Sequence, residues 1–213
     1  MKRSWCVERG LSDATGARNV HTEDYGMRET TMNLTGSGMI AITRDALAAL
    51  RSALIRDTGY ATAGYFQEAG YAGGAALFEA FRVWLEARGA TAPESLSVAA
   101  FQSHAADFFR ECGWGSLAVG DLHDTVATLD SSDWGESTPG AGLEHPACHM
   151  TSGMFADFFG RVADAPLAVM EVECRSAGAE RCRFLLGSTE VLQQVYDGMS
   201  AGSGYEAAVL AAA

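Results

Sequence analysis

Apolar positions recur at helical spacing through much of this chain and shorten to strand-length runs in between. Leu47, Leu50, Ala53 and Leu54 follow Thr43, a good helix N-cap, and the pattern stops by Gly59. A longer helix is predicted over 61–88 from Phe66, Tyr71, Phe78, Phe81, Val83 and Leu85, with Gly89 just past its end. A third, over 94–111, follows Pro93 and carries Leu96, Phe101, Phe108 and Phe109. Met150, Met154, Phe155, Phe158, Phe159 and Val162 predict a helix that starts near Cys148, and Val191, Leu192, Val195 and Tyr196 another over 189–199.

Strand signals lie between these helices. Gly38–Thr43 reads as a strand running into the first helix, and Trp114–Gly120 and Asp124–Asp130 as an antiparallel pair. Leu167–Cys174 and Cys182–Leu186 form a second pair joined by Ser176–Glu180, where Gly178 can take positive φ. The sum is an α+β chain, an antiparallel sheet packed against several helices. Ser131–His145 is a loop of the length that is usually functional or mobile. Residues 1–35 read as an N-terminal arm or dimerisation segment, 36–199 as the folded domain, and the Ala- and Gly-rich 200–213 as a flexible tail. Gly70, Gly73 and Gly74 each cost the second helix about 1 kcal/mol relative to alanine. Close approach of another backbone, or room for a ligand, would compensate.

Cys148, Glu171, Cys174 and Cys182 are the ligand types of a tetrahedral zinc site. The hairpin sets Cys174 and Cys182 at one end, and Cys148 at a helix N-terminus gains from a dipole that favours thiolate. A regular strand points Glu171 and Cys174 to opposite faces, so both reach one ion only across a bulge or an early strand end. Glu173 or His149 are alternatives to Glu171. Arg175, Arg181 and Arg183, with backbone amides, are candidate donors to the ligands. On spacing alone, three ordinary buried thiols fit as well.

The block Pro146-Ala-Cys148-His-Met-Thr-Ser-Gly153, followed by Glu171-x2-Cys174-x7-Cys182-x-Phe184, resembles the vinyl-4-reductase domain family. That resemblance covers residues 144–186 best and thins out upstream to about residue 40. It implies a fold like that of the TRAPP vesicle-tethering subunits, a homodimer, and a structural zinc on Cys148, Glu171, Cys174 and Cys182, as in the effector-sensing domains of aromatic-catabolism activators. Together with the glycines and aromatics it implies an apolar cavity between helix 61–88, helix 94–111 and the sheet beginning at Trp114. Phe101, His104, Phe108, Trp114 and Phe155 would line it, with His104 and Trp114 as polar tips.

Fifteen Lys and Arg against 27 Asp and Glu give a net charge of −12, which opposes binding to nucleic acid or anionic membranes. No apolar run reaches the length of a membrane span, and five cysteines, an odd number, suit metal and reduced thiols better than disulfides, so a cytoplasmic protein is expected. No phosphate-binding glycine loop or nucleophile elbow is present. The expected function is a zinc-containing sensor or carrier of an apolar, aromatic or tetrapyrrole-like molecule. A vinyl reductase, or an accessory protein in bacteriochlorophyll synthesis, is the alternative the resemblance allows, and a protein-interaction subunit is a third.

Overall fold

The computed structural model describes residues 38–212. The expected arm at 1–35, with Cys6 inside it, lies outside the described residues. Helices α1 (Arg44–Thr58), α2 (Ala61–Glu86) and α3 (Val98–Glu111) come first, then strands β1 (Ala118–His123) and β2 (Val126–Ser131). Helix α4 (His149–Ala163), strands β3 (Ala168–Glu173) and β4 (Cys182–Gly187), and helices α5 (Thr189–Ser200) and α6 (Tyr205–Ala212) complete the order. The four strands form one antiparallel sheet in the order β1-β2-β4-β3, so the fold is α+β.

The sheet divides two cores. The alternation of β4 sends Cys182 and Phe184 to the side of α2, α3 and α4, and Leu185 to the side of α5 and α6. Leu129 pairs with Phe184 across β2 and β4 and faces the larger core with it. That core is aromatic: Phe81, Phe108, Phe109, Phe155, Phe158 and Phe184 are fully buried, with ring pairs such as Phe109–Phe155 at 5.4 Å edge to face.

Helix starts follow their capping residues. Thr43 accepts from Ala46 N, Ser97 from Ala100 N and Ser188 from Val191 N. The Ser97 cap places the start of α3 at Val98, later than the expected 94, and Pro93–Ser95 forms a separate 3₁₀ turn. α4 has no side-chain cap from Cys148. The carboxylate of Glu136 does that work instead, accepting from Met150 N at 3.0 Å and Thr151 N at 2.7 Å.

Helices α2 and α4 meet through glycine. Gly70 lies on the backbone of Met150, Gly153 on the carbonyl of Gln67, and Gly74 on the Asp157 side chain, each too close for a β-carbon. Gly73 faces open space, so the two roles expected of these glycines are divided among them.

Three expectations differ from the structure. Gly38–Thr43 forms no strand, because extended backbone needs a partner edge and this segment has none among the described residues. The first strand pair is shifted to Ala118–His123 and Val126–Ser131, leaving Trp114 in the preceding turn. Residues 205–212 are no flexible tail: α6 packs on the second core, with Ala208 and Val209 buried. Tyr205 ties it down, donating to Glu173 Oε1 at 2.6 Å and accepting from Arg183 at 3.1 Å.

Candidate metal centre and ligand cavity

The donor atoms of Cys148, Glu171, Cys174 and Cys182 all lie within 4.8 Å of one another. Cys148 stands at the N-terminus of α4, Glu171 and Cys174 at the end of β3, and Cys182 at the start of β4. The bulge that this requires is present: between Glu171 and Glu173 the register on β4 advances only from Phe184 to Arg183. Gly178, at φ +92°, turns the chain between the two cysteines.

Cys148 Sγ lies 3.9 Å from both Cys174 Sγ and Cys182 Sγ. A tetrahedral ion with ~2.3 Å metal–sulfur bonds sets sulfurs about 3.8 Å apart, whereas a disulfide needs about 2 Å. Glu171 Oε2 accepts from Cys148 N at 2.8 Å, but its Oε1 is buried with no hydrogen-bond partner among the described residues. A buried carboxylate oxygen without a donor costs ~1–3 kcal/mol or more. A cation between the three sulfurs and this oxygen removes that cost, and the donor set fits zinc.

Taken alone, the protein groups hold one negative charge among the thiols. Hydrogen bonds from Cys148 and Cys182 keep the Cys174 thiol far below the ordinary range, and Cys148 is pushed well above 9.0 by its bonds to the other two thiols and by burial. Burial, then the charge on Cys174, pushes Glu171 up to about 9. Backbone amides of Ala147 and Arg175 donate to Cys174 and Cys182. Arg181 and Arg183 do not serve the cluster as expected: they form bidentate pairs with Glu173 and Asp130.

The loop at 131–145 joins this centre to the helices and is itself packed. Ser176, between the two hairpin cysteines, accepts from Thr138 N through its hydroxyl and from Leu143 N through its carbonyl. Trp134 is fully buried, donates to Thr151 Oγ1 at 2.7 Å and stacks on Trp114 at 5.5 Å. Arg51, buried on α1, donates to Glu136 O at 2.8 Å and Thr138 Oγ1 at 2.6 Å. Burial pushes the Glu136 carboxyl up to about 7, against the pull of its bonds from Thr151 and Met150.

A cavity of about 430 Å³ opens on the α1 side of α2. Its walls are the segment from Gly38 to Arg44, Leu47, the small residues Ala69, Gly70, Gly73 and Ala76 of α2, the turn at Cys112–Trp114, and Met150 and Met154 of α4. Of the expected pocket residues only Trp114 lines it. Phe108 and Phe155 are wholly buried in the aromatic core, Phe101 packs edge-on against Phe81 and Phe159, and His104 lies beside Trp84 at 5.9 Å. The space expected between α2, α3 and the sheet is filled by these rings packing on one another. Leu47, Arg44, Glu136 and the two methionines carried no motif, and only the glycines of α2 signalled the cavity.

The fold and site thus define an α+β domain with a buried four-donor centre at one end of its sheet and an apolar cavity beside its longest helix. The family model of the vinyl-4-reductase domain matches residues 134–188, so the chain carries such a domain there. That span runs from Trp134 past Cys182 and contains all four donors. No curated protein matches the sequence. The phenol-responsive sensory domain of the transcription activator PoxR, solved with phenol, is similar in structure with a TM-score of 0.55 at 18% identity, over 78% of this chain and 83% of that one. A trafficking protein particle complex subunit 3 from Naegleria fowleri, covalently bound to palmitic acid, gives 0.53 at 11% identity, over 68% and 91%. A vinyl-4-reductase family protein from Methanocaldococcus jannaschii gives 0.46 at 18%, over 72% and 87%. At these identities the likeness is one of fold, and the fold is TRAPP-like.

Proposed function

We propose that this chain is a small-molecule-binding domain, a sensor or carrier, that takes an aromatic, hydrocarbon-like or tetrapyrrole-related ligand into the cavity beside α2. The observation that carries this reading is the cavity itself. At about 430 Å³ it falls in the range of small-molecule sites, ~300–1,000 Å³, and its lining is almost wholly apolar. The PoxR sensory domain with phenol and the Naegleria subunit with palmitic acid, both of like fold, hold apolar molecules and support it.

In the same reading Cys148, Glu171, Cys174 and Cys182 hold zinc. Four buried protein donors leave no open position for substrate, so the ion is structural, bracing β3, β4 and the start of α4 as a rigid wall. The domain works as a homodimer that binds no nucleic acid itself. A thermal-shift panel of phenols, alkylbenzenes and chlorophyll precursors on purified protein tests the reading. A rise in melting temperature with at least one class is expected, and none with any class would count against it.

A further inference from the structure

Among the side chains that line the cavity, Arg44 is the one that bears a charge; Thr43 and Cys112 contribute a hydroxyl and a thiol, and the rest are apolar or glycine. Its guanidinium is bonded only to neutral groups among the described residues, with Nη1 donating to Asp133 O at 3.5 Å and Nη2 to Gly113 O at 3.3 Å. Both contacts are long for N–H···O bonds. Arg88, Arg161, Arg181 and Arg183 by contrast each pair with a carboxylate. Asp133 is close enough to feel Arg44, but its carboxylate is taken by Ser116 N at 2.7 Å, Ser116 Oγ at 2.5 Å and Ser131 Oγ at 3.3 Å. Asp45, the next residue on α1, makes no ion pair with Arg44.

A guanidinium has five N–H donors, so three remain at the rim of an apolar cavity. Space is kept there by Gly135, where a β-carbon would stand 3.5 Å from Arg44 Nε. One fixed positive charge with planar donors matches one planar negative charge, which is the geometry of a carboxylate. A doubly charged phosphate would be half neutralised, inside a chain of net charge −12 that repels anions at range.

We propose that the ligand is an amphipathic carboxylic acid, aryl or alkyl, with its apolar body in the cavity and its carboxylate on Arg44. This rests on the cavity being the ligand site, as proposed above. Binding of the acid replaces the two long carbonyl contacts of Arg44 with a charge-assisted pair.

The test is calorimetry at pH 7.5 with matched probes, 2-naphthoate against 2-naphthamide and decanoate against decanol, on the full chain and on Arg44→Gln and Arg44→Lys. The expected result is that at least one acid binds ~10-fold or more tighter than its neutral partner. Arg44→Gln should abolish that preference while still binding the neutral probe, which shows the cavity intact, and Arg44→Lys should keep part of it. Equal binding of acid and neutral partner, or a preference that survives in Arg44→Gln, overturns the carboxylate assignment and leaves the cavity reading standing. Absence of binding by every probe overturns both.

Discussion

Gly70 of α2 lies directly on the backbone carbonyl of Met150 in the first turn of α4, with no room for a β-carbon between them. Three residues on, Gly73 meets nothing and opens onto the cavity. The two glycines cost the helix the same intrinsic propensity, so their substitution separates packing from propensity. Gly70→Ala should destabilise by ~2 kcal/mol or more, since neither backbone can move aside, while Gly73→Ala should stabilise by up to ~1 kcal/mol. Urea unfolding of both variants checks this, and equal effects would contradict the helix contact.

Glu136 gives stability a defined pH dependence. Burial raises its carboxyl from the ordinary 4.5 to about 7, so between those values the folded chain holds a proton that the unfolded chain has released. This contribution is full below pH 4.5, falls as pH rises through 7 and is flat above it, a loss of about 3 kcal/mol. Glu136→Gln is neutral throughout. The stability of the wild type relative to this variant should therefore drop across that window, the cysteine cluster being common to both. A difference that stays constant with pH would show that the bonds from Thr151 and Met150 already stabilise the carboxylate fully.

The sequence held the metal cluster and the hairpin in plain view because their signals are local: two cysteines flanking a turn with Gly178, and a third at the start of an apolar-periodic helix. The need for a bulge after Glu171 followed from strand periodicity alone, and the bulge is there. Other features depend on partners distant in sequence. Gly38–Thr43 has β-forming residues but no edge to pair with among the described residues. Phe101, Phe108 and Phe155 are as apolar as pocket residues and are consumed by the core. Glu136 sits alone in a glycine-bearing loop, and only the fold brings it beneath α4. The spacing of Tyr205, Ala208, Val209 and Ala212 is helical, but over eight residues the Ala- and Gly-rich composition obscured it.

That last helix provides a further expectation. Tyr205→Phe removes one hydrogen bond given to Glu173 and one received from Arg183, and should cost ~1 kcal/mol. Removing residues 205–213 exposes the face of Val126, Leu185 and Val195, and should cost several times more by thermal unfolding. Unchanged melting on truncation would return 200–213 to the status of a tail.

The four-donor centre should hold about one zinc per chain by elemental analysis. Cys174→Ser or Cys182→Ser should lose the ion and lower the melting temperature by ~10 °C or more, because the binding free energy of a structural ion is folding free energy. Glu171→Ala should weaken retention less than Cys148→Ala does. Protein without zinc, or cysteine variants that melt with the wild type, would assign the cluster to ordinary buried thiols.

The central claim is that the space beside α2 receives a ligand, and Gly73→Leu tests it most directly. The substitution fills the cavity from a wall where helix propensity favours the change and nothing stands in the way. Calorimetric titration of wild type and Gly73→Leu with the phenols, alkylbenzenes and chlorophyll precursors of the thermal panel should show at least one ligand binding the wild type at one per chain. The same ligand should bind the variant ~10-fold or more weakly, with the fold intact. No binding by the wild type, or equal binding by the two proteins, would contradict the account.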